Sequence, residues 1–135
     1  MNLSEPSEKT ILIVDDDEGI RDLLDFIVKK EGFKTEKVSD GKTAIEKAKT
    51  LYPDLIILDL MLPGYGGFEI LRELQMYETA KIPIIIITGK YMDRTTQEMI
   101  KMEPNVVDFV EKPIKTQVLT SLIHKILKTS PKPDK

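Results

Sequence analysis

Three carboxylates, one hydroxyl and one ammonium stand at the ends of apolar runs in this chain. Asp59 closes the run Asp54-Leu55-Ile56-Ile57-Leu58-Asp59, and Asp15 and Asp16 follow Ile11-Leu12-Ile13-Val14. Thr88 closes Ile85-Ile86-Ile87-Thr88, and Lys112 follows Asp108-Phe109-Val110-Glu111. An unpaired charge at the end of a buried strand is costly, so Asp59 calls for a chemical reason. Clustered carboxylates repel one another by about 4 kcal/mol per pair at ~4 Å and an effective dielectric near 20. Such a cluster needs a cation, a proton or a neighbouring ammonium. An acidic, oxygen-only site on a wet rim suits Mg²⁺, which takes a few carboxylates and keeps several waters. Lys112 can partly neutralise the carboxylates and then hold a phosphoryl oxygen. The Thr88 hydroxyl can donate a hydrogen bond to another. A carboxylate nucleophile beside the metal can attack phosphorus and form an aspartyl phosphate. The chain has neither a GxxxxGK[ST] loop nor a kinase-type glycine-rich loop, which points to a partner rather than a nucleotide as phosphodonor.

These groups meet only if the elements carrying them run the same way. The pattern alternates strand and helix throughout. Residues 11–14 read as a strand whose trailing aspartates can cap the next helix. Ile20, Leu23, Leu24, Ile27 and Val28 repeat at helical spacing, and Gly32 stops that helix. Residues 34–38, less apolar, read as an edge or near-edge strand. Ala44, Ile45, Ala48 and Leu51 form the next helix face, and 55–59 the third strand. Residues 63–67 read as a loop, and Phe68, Leu71 and Leu74 begin another helix face. Residues 82–88 are a continuous apolar strand, as expected of a parallel sheet covered on both faces. Residues 91–103 read as a helix by elimination, 106–110 as the fifth strand, and 118–127 as the last and clearest helix. Five βα units give a parallel sheet with helices on both faces. In such sheets the ligand site lies beyond the carboxyl ends of the strands, where strand order reverses. All five marked groups sit at those ends.

Composition sets the outer bounds. With 135 residues the chain fits one domain. A 41% hydrophobic and 32% charged content is that of a soluble globular protein rather than a disordered one. A net charge of −3 argues against general binding of nucleic acid or anionic membranes. With no cysteine, thiolate catalysis and cysteine zinc sites are excluded. No apolar stretch approaches the ~20 residues of a membrane span, and the start lacks a signal-peptide core, so the expected location is cytoplasmic. His124, the only histidine, reads as a solvated surface side chain. Asp17 and Glu18 read as helix N-terminal charges, not ligands. Met99 and Met102 read as helix packing. Residues 1–9 and 129–135 read as disordered tails around a domain over 10–128.

Ile11 through Arg21, Asp54 through Pro63, Ile85 through Gly89 and Asp108 through Pro113, in this order and on this βα pattern, resemble the CheY-like receiver domain of two-component response regulators. The resemblance spans about residues 9–128. It implies a flavodoxin-like (βα)5 fold with strand order 2-1-3-4-5. It implies Asp59 as phosphoacceptor, taking phosphate from a sensor histidine kinase or a phosphotransfer protein. Asp16 would ligate Mg²⁺ directly and Asp15 through water, with the Asp59 carboxylate and the Met61 backbone carbonyl completing the protein ligands. Lys112 would contact the phosphoryl group, and its bond to Pro113 would be cis. Thr88 and Phe109 would form a switch pair that alters a partner-binding surface. The chain would be no enzyme beyond its own phosphorylation and dephosphorylation. It would act on a downstream protein target without binding nucleic acid or membrane itself, as a monomer or a phosphorylation-dependent homodimer. An alternative is an isolated receiver cut from a larger, for example DNA-binding, regulator.

Some positions depart from the family pattern. Gly66 stands where an acidic or small polar residue is common, Asn105-Val106 replaces a common Gly-Ala, and the stretch from Thr88 to Phe109 is about two residues longer than usual. Met61 and Lys90, two residues beyond Asp59 and Thr88, fall at positions that tune dephosphorylation in the family. Two rivals remain. A phosphatase of the haloacid-dehalogenase type needs a second Asp where Met61 stands. A degenerate receiver acting only as a scaffold would not keep Asp15, Asp16, Asp59, Thr88 and Lys112 together.

Overall fold

The computed structural model describes residues 3–59, 67–89 and 94–131. Five strands, β1 (Thr10–Val14), β2 (Lys34–Val38), β3 (Leu55–Asp59), β4 (Ile84–Thr88) and β5 (Val106–Glu111), form one parallel sheet in the order β2-β1-β3-β4-β5. Among the described residues the α-helices are α1 (Glu18–Lys30), α2 (Gly41–Leu51), α3 (Gly67–Gln75), α4 (Arg94–Lys101) and α5 (Thr116–Leu127). The expected strand order and the flavodoxin-like architecture are both observed.

Strand alternation sorts the core into two layers. Leu12, Val14, Ile56, Leu58, Ile84 and Ile86 pack on one face with residues of α2, α3 and α4, including Ala44, Ala48, Leu71 and Ile100. Ile11, Ile13, Leu55, Ile57, Ile85 and Ile87 pack on the other with residues of α1 and α5, including Leu24, Val28, Leu119 and Ile123. All these side chains are buried, which is why β1, β3 and β4 read as unbroken apolar runs. Full burial of each such side chain contributes about 1.5–3 kcal/mol. β2 is an edge strand, as its mixed composition predicts, and β5 is the other edge. A register shift between Ile84 and Ile85 skips Val107.

Helix ends follow their chemistry. Asp17 caps α1 by accepting from the Ile20 N–H, and Asp40 caps α2 by accepting from the Thr43 N–H. The α2 helix ends on Tyr52 in a left-handed conformation (φ 49°), with Pro53 next. The α4 helix covers less than the expected 91–103, since the chain turns after Lys101 and residues 90–93 lie outside those described.

Three sequence expectations need correction. Met99 and Met102, read as helix packing, are both exposed, and Met102 lies beyond the end of α4. His124 is buried, 5% exposed. Its Nδ1 lies 2.6 Å from Thr129 Oγ1, its Nε2 lies 2.8 Å from Glu31 Oε1, and its ring sits against Phe33. Both ring nitrogens are hydrogen-bonded, which makes burial of the imidazole tolerable. The inner ends of the two tails are also ordered. The Ser4 N–H donates to the Lys128 carbonyl at 3.0 Å, Ser4 and Thr129 form a parallel bridge, Pro6–Glu8 form a 3-10 turn, and Thr129 is buried. Thr129 supplies the hydroxyl that His124 needs, so burial of the histidine and ordering of the tail go together.

Candidate functional site

The order β2-β1-β3 means that the chain leaves β1 toward one side of the sheet and returns on the other. Strand order reverses between β1 and β3, and in open parallel sheets the ligand crevice lies beyond the carboxyl ends of the strands at such a point. Asp15 follows β1 and Asp59 ends β3, so both carboxylates reach this crevice while their strands stay buried. Asp15 is 0% and Asp59 3% exposed, whereas Asp16 is exposed at the rim. One oxygen from each of the three lies within 4.8 Å of the others. This spacing suits a divalent cation bound through carboxylate oxygens and water.

The turn after β1 fixes how Asp15 presents its carboxylate. Its Oδ1 accepts from the Asp17 N–H at 2.9 Å, and its backbone carbonyl accepts from Arg21 Nη1 at 2.9 Å. Its Oδ2 is buried and, among the described residues, receives no hydrogen bond. An orphaned buried carboxylate oxygen facing two other carboxylates is the signature of a site built for a positive charge or a proton. Burial pushes Asp15 up to about 6. The Asp17 N–H opposes that rise, the facing Asp59 adds to it, and Lys112 offsets part of it.

Lys112 comes from the turn after β5. Its backbone N–H donates to the Thr88 carbonyl at 2.9 Å, which ties the ends of β4 and β5 together. Its Nζ donates to Asp59 Oδ2 at 3.3 Å, with the Asp59 side chain 5% and the Lys112 side chain 32% exposed. The Lys112–Pro113 peptide is cis, as expected. Thr88 is buried at the end of β4, on the strand next to Asp59. Phe109 lies one strand further out, paired with Ile86 and partly buried against the α2–α4 core layer, with Lys101 Nζ 5.6 Å from its ring centroid. A cavity of about 390 Å³ runs between Phe109, Lys112 and Val118. The structure thus brings Asp15, Asp16, Asp59 and Lys112 into one group, with Thr88 on the adjoining strand end and Phe109 outside it. Met61, Lys90, Gly66 and the loop over 63–66 lie outside the described residues.

Two contributors escaped the sequence reading. Arg21 stands out only as the last residue of the motif that begins at Ile11, and nothing in its spacing announces a bond to the Asp15 carbonyl. The Asp17 main chain holds Asp15 whatever side chain residue 17 carries, so residue types could not reveal it.

Comparison with known proteins shows the family and agrees with the fold. Residues 11–124 match the family model described as the response regulator receiver domain. The DNA-binding response regulator MtrA of Mycolicibacterium smegmatis is 35% identical over 113 residues, 84% of this chain and 48% of that protein. The alkaline phosphatase synthesis transcriptional regulatory protein PhoP of Bacillus subtilis is 34% identical over 122 residues, 90% of this chain and 50% of that protein. The chain thus spans about half the length of these relatives. A response regulator receiver protein from Pseudomonas putida superposes with a TM-score of 0.81 at 25% identity, covering 92% of this chain and 99% of that one. Among the described residues, no helix is long and apolar enough to cross a membrane. The motif order, the strand order and the acidic crevice all lead to one conclusion: this chain belongs to the family of receiver domains of two-component response regulators.

Proposed function

We propose that Asp59 accepts a phosphoryl group from a phosphohistidine on a sensor kinase or phosphotransfer protein. An Asp59 carboxylate oxygen forms the new P–O bond as the P–N bond to the donor imidazole breaks, and the imidazole leaves with the electron pair. The observation that carries this reading is the convergence of Asp15, Asp16 and Asp59 within 4.8 Å, with Lys112 3.3 Å from Asp59. The Asp15 Oδ2 without a hydrogen-bond donor supports a cation in the crevice. Mg²⁺, once bound, would neutralise charge on the transferring group. Asp16 would hold it directly and Asp15 through water, together with Asp59 and the Met61 carbonyl.

The chain's own side chains divide the remaining work. Lys112 withdraws from Asp59 as the phosphoryl group arrives and contacts one of its oxygens. Thr88 donates its hydroxyl to another, and Phe109 turns inward behind it, using space beside β5. Phosphorylation exchanges a charge of −1 for roughly −1.5 to −2. The effect lies less in that charge than in the added acceptor oxygens, which bias a two-state surface toward a downstream protein partner. Autocatalysis of phosphorylation and dephosphorylation would be the chain's only chemistry. A second reading, a receiver belonging to a longer DNA-binding regulator, is favoured by its covering about half of MtrA and PhoP.

Incubation with acetyl phosphate and Mg²⁺, followed by intact mass, tests the first reading. Wild type should gain one phosphoryl group, and the gain should be absent when Mg²⁺ is chelated before acetyl phosphate is added and absent in Asp59→Asn. Equal labelling of Asp59→Asn would contradict it.

A further inference from the structure

Arg21 stands one turn into α1, and its Nη1 donates to the Asp15 backbone carbonyl at 2.9 Å. The same residue is also held through its main chain, because the Arg21 N–H donates to the Asp17 carbonyl at 2.8 Å. Asp17 in turn accepts from the Ile20 N–H through its side chain and donates its own N–H to Asp15 Oδ1. The Asp15 N–H is tied to β2 through the Val38 carbonyl at 3.2 Å. Three of the four polar handles on Asp15 are therefore fixed, its N–H, its C=O and Oδ1. Oδ2 is left over, and among the described residues it has no donor. The turn is locked from the helix side by Arg21 and from the sheet side by Val38.

We propose that Arg21 is a positioning residue for the divalent cation, holding the Asp15 carbonyl so that the Asp15 and Asp16 carboxylates converge on Asp59. The claim rests on the cation site of the proposed function. It adds that the preorganisation of this site comes from a helix side chain that touches neither the cation nor the phosphoryl group.

Charge and geometry make opposite forecasts for Arg21, which gives the test its power. A guanidinium beside an acidic crevice repels a second cation, so deleting it should tighten cation binding if charge alone matters. If Arg21 acts by holding the turn, deletion should weaken binding, since partners that orient metal ligands commonly contribute tenfold or more in affinity.

The experiment is calorimetric titration of the whole chain with MgCl₂ alone, at pH 7.5 and fixed ionic strength, for wild type, Arg21→Met and Arg21→Lys. Melting of each in EDTA runs alongside. Arg21→Met keeps the packing of the stem and removes the donor and the charge. Arg21→Lys keeps the charge and one donor on a shorter, unforked side chain. The expected order of affinity is wild type, then Lys at about threefold weaker, then Met at about tenfold weaker. Met at equal or tighter affinity than wild type overturns the proposal, and so does a drop in melting temperature with unchanged Mg²⁺ affinity. If Arg21→Met does not fold, Arg21→Lys decides alone, since its charge is unchanged and any loss reports geometry. Wild type without Mg²⁺ binding overturns the cation site as well, whereas equal binding by all three overturns only the role of Arg21.

Discussion

Two buried aspartates of this domain meet opposite surroundings. Asp25, on the α1 face that meets β2, is 9% exposed and fully provided for. The Thr35 hydroxyl donates to it at 2.6 Å, and Lys29 and Lys37 lie 3.2 and 3.7 Å away. Burial alone would raise its pKa, but these donors outweigh it and the net shift is downward. Asp15 is 0% exposed, keeps one oxygen without a donor among the described residues, and is pushed up to about 6. A fold that satisfies one buried carboxylate this thoroughly could in principle satisfy the other. Leaving Asp15 short of a donor, against Asp59, makes the crevice poor for stability, and under the proposed function a cation supplies what is missing. The contrast sets a structurally satisfied carboxylate apart from the candidate functional one.

The largest expected break in this contrast comes from Lys112→Ala. It removes the ammonium 3.3 Å from Asp59 and, under the proposed function, its contact to an incoming phosphoryl oxygen. Losing one preorganised donor of this kind lowers a rate by about 10²–10³-fold, so the initial rate of Asp59 labelling by acetyl phosphate should fall by about that factor. A loss under threefold would mean Lys112 only balances charge at rest.

Next in size is a pH effect with a defined sign. The raised pKa of Asp15 means that between about 4 and 6 the folded state keeps a proton that the unfolded chain has released. Stability is therefore lost as pH rises through that window and stays lower above it. Relative to wild type in EDTA, Asp15→Asn should show no gain near pH 4 and a gain of at most about 3 kcal/mol above pH 6. Denaturant titrations at several pH values check this, and a difference independent of pH would refute it.

A smaller effect, of the other sign, attends Asp25. Its lowered pKa contributes stability above the unfolded value, lost as pH falls through the folded value. Asp25→Asn should destabilise by about 1–2 kcal/mol at pH 7, the scale of hydrogen bonds to a charged group, and the difference should shrink in acid. An Asp25→Asn variant as stable as wild type at pH 7 would mean that the Thr35 and lysine contacts contribute nothing.

The same contrast marks what the sequence could reveal. Three of the five named strands were most legible because β1, β3 and β4 are covered on both faces and carry unbroken Ile, Leu and Val runs. Four of the site groups were legible because a charge or hydroxyl ending such a run is conspicuous. Asp25 was not, since a lone carboxylate between Leu24 and Ile27 resembles a helix-surface residue, and its partner Thr35 lies on a strand. His124 was misread for the same reason. Its partner Glu31 is 93 residues away in sequence, and Thr129 lies in a segment whose lysines and prolines suggest disorder. Local pattern reports burial of apolar stripes. It does not report which polar group a distant partner will rescue.

The measurement closest to the central claim is the melting of wild type and Asp15→Asn at pH 7.5, once in EDTA and once in excess MgCl₂. In EDTA the variant should melt higher, because it removes an ill-satisfied buried carboxylate. In MgCl₂ the wild type should rise by mass action while the variant barely moves, so that the gap between them closes or reverses. A gap of the same sign and size in both conditions would contradict the claim that Asp15 is kept short of a donor for the sake of a cation.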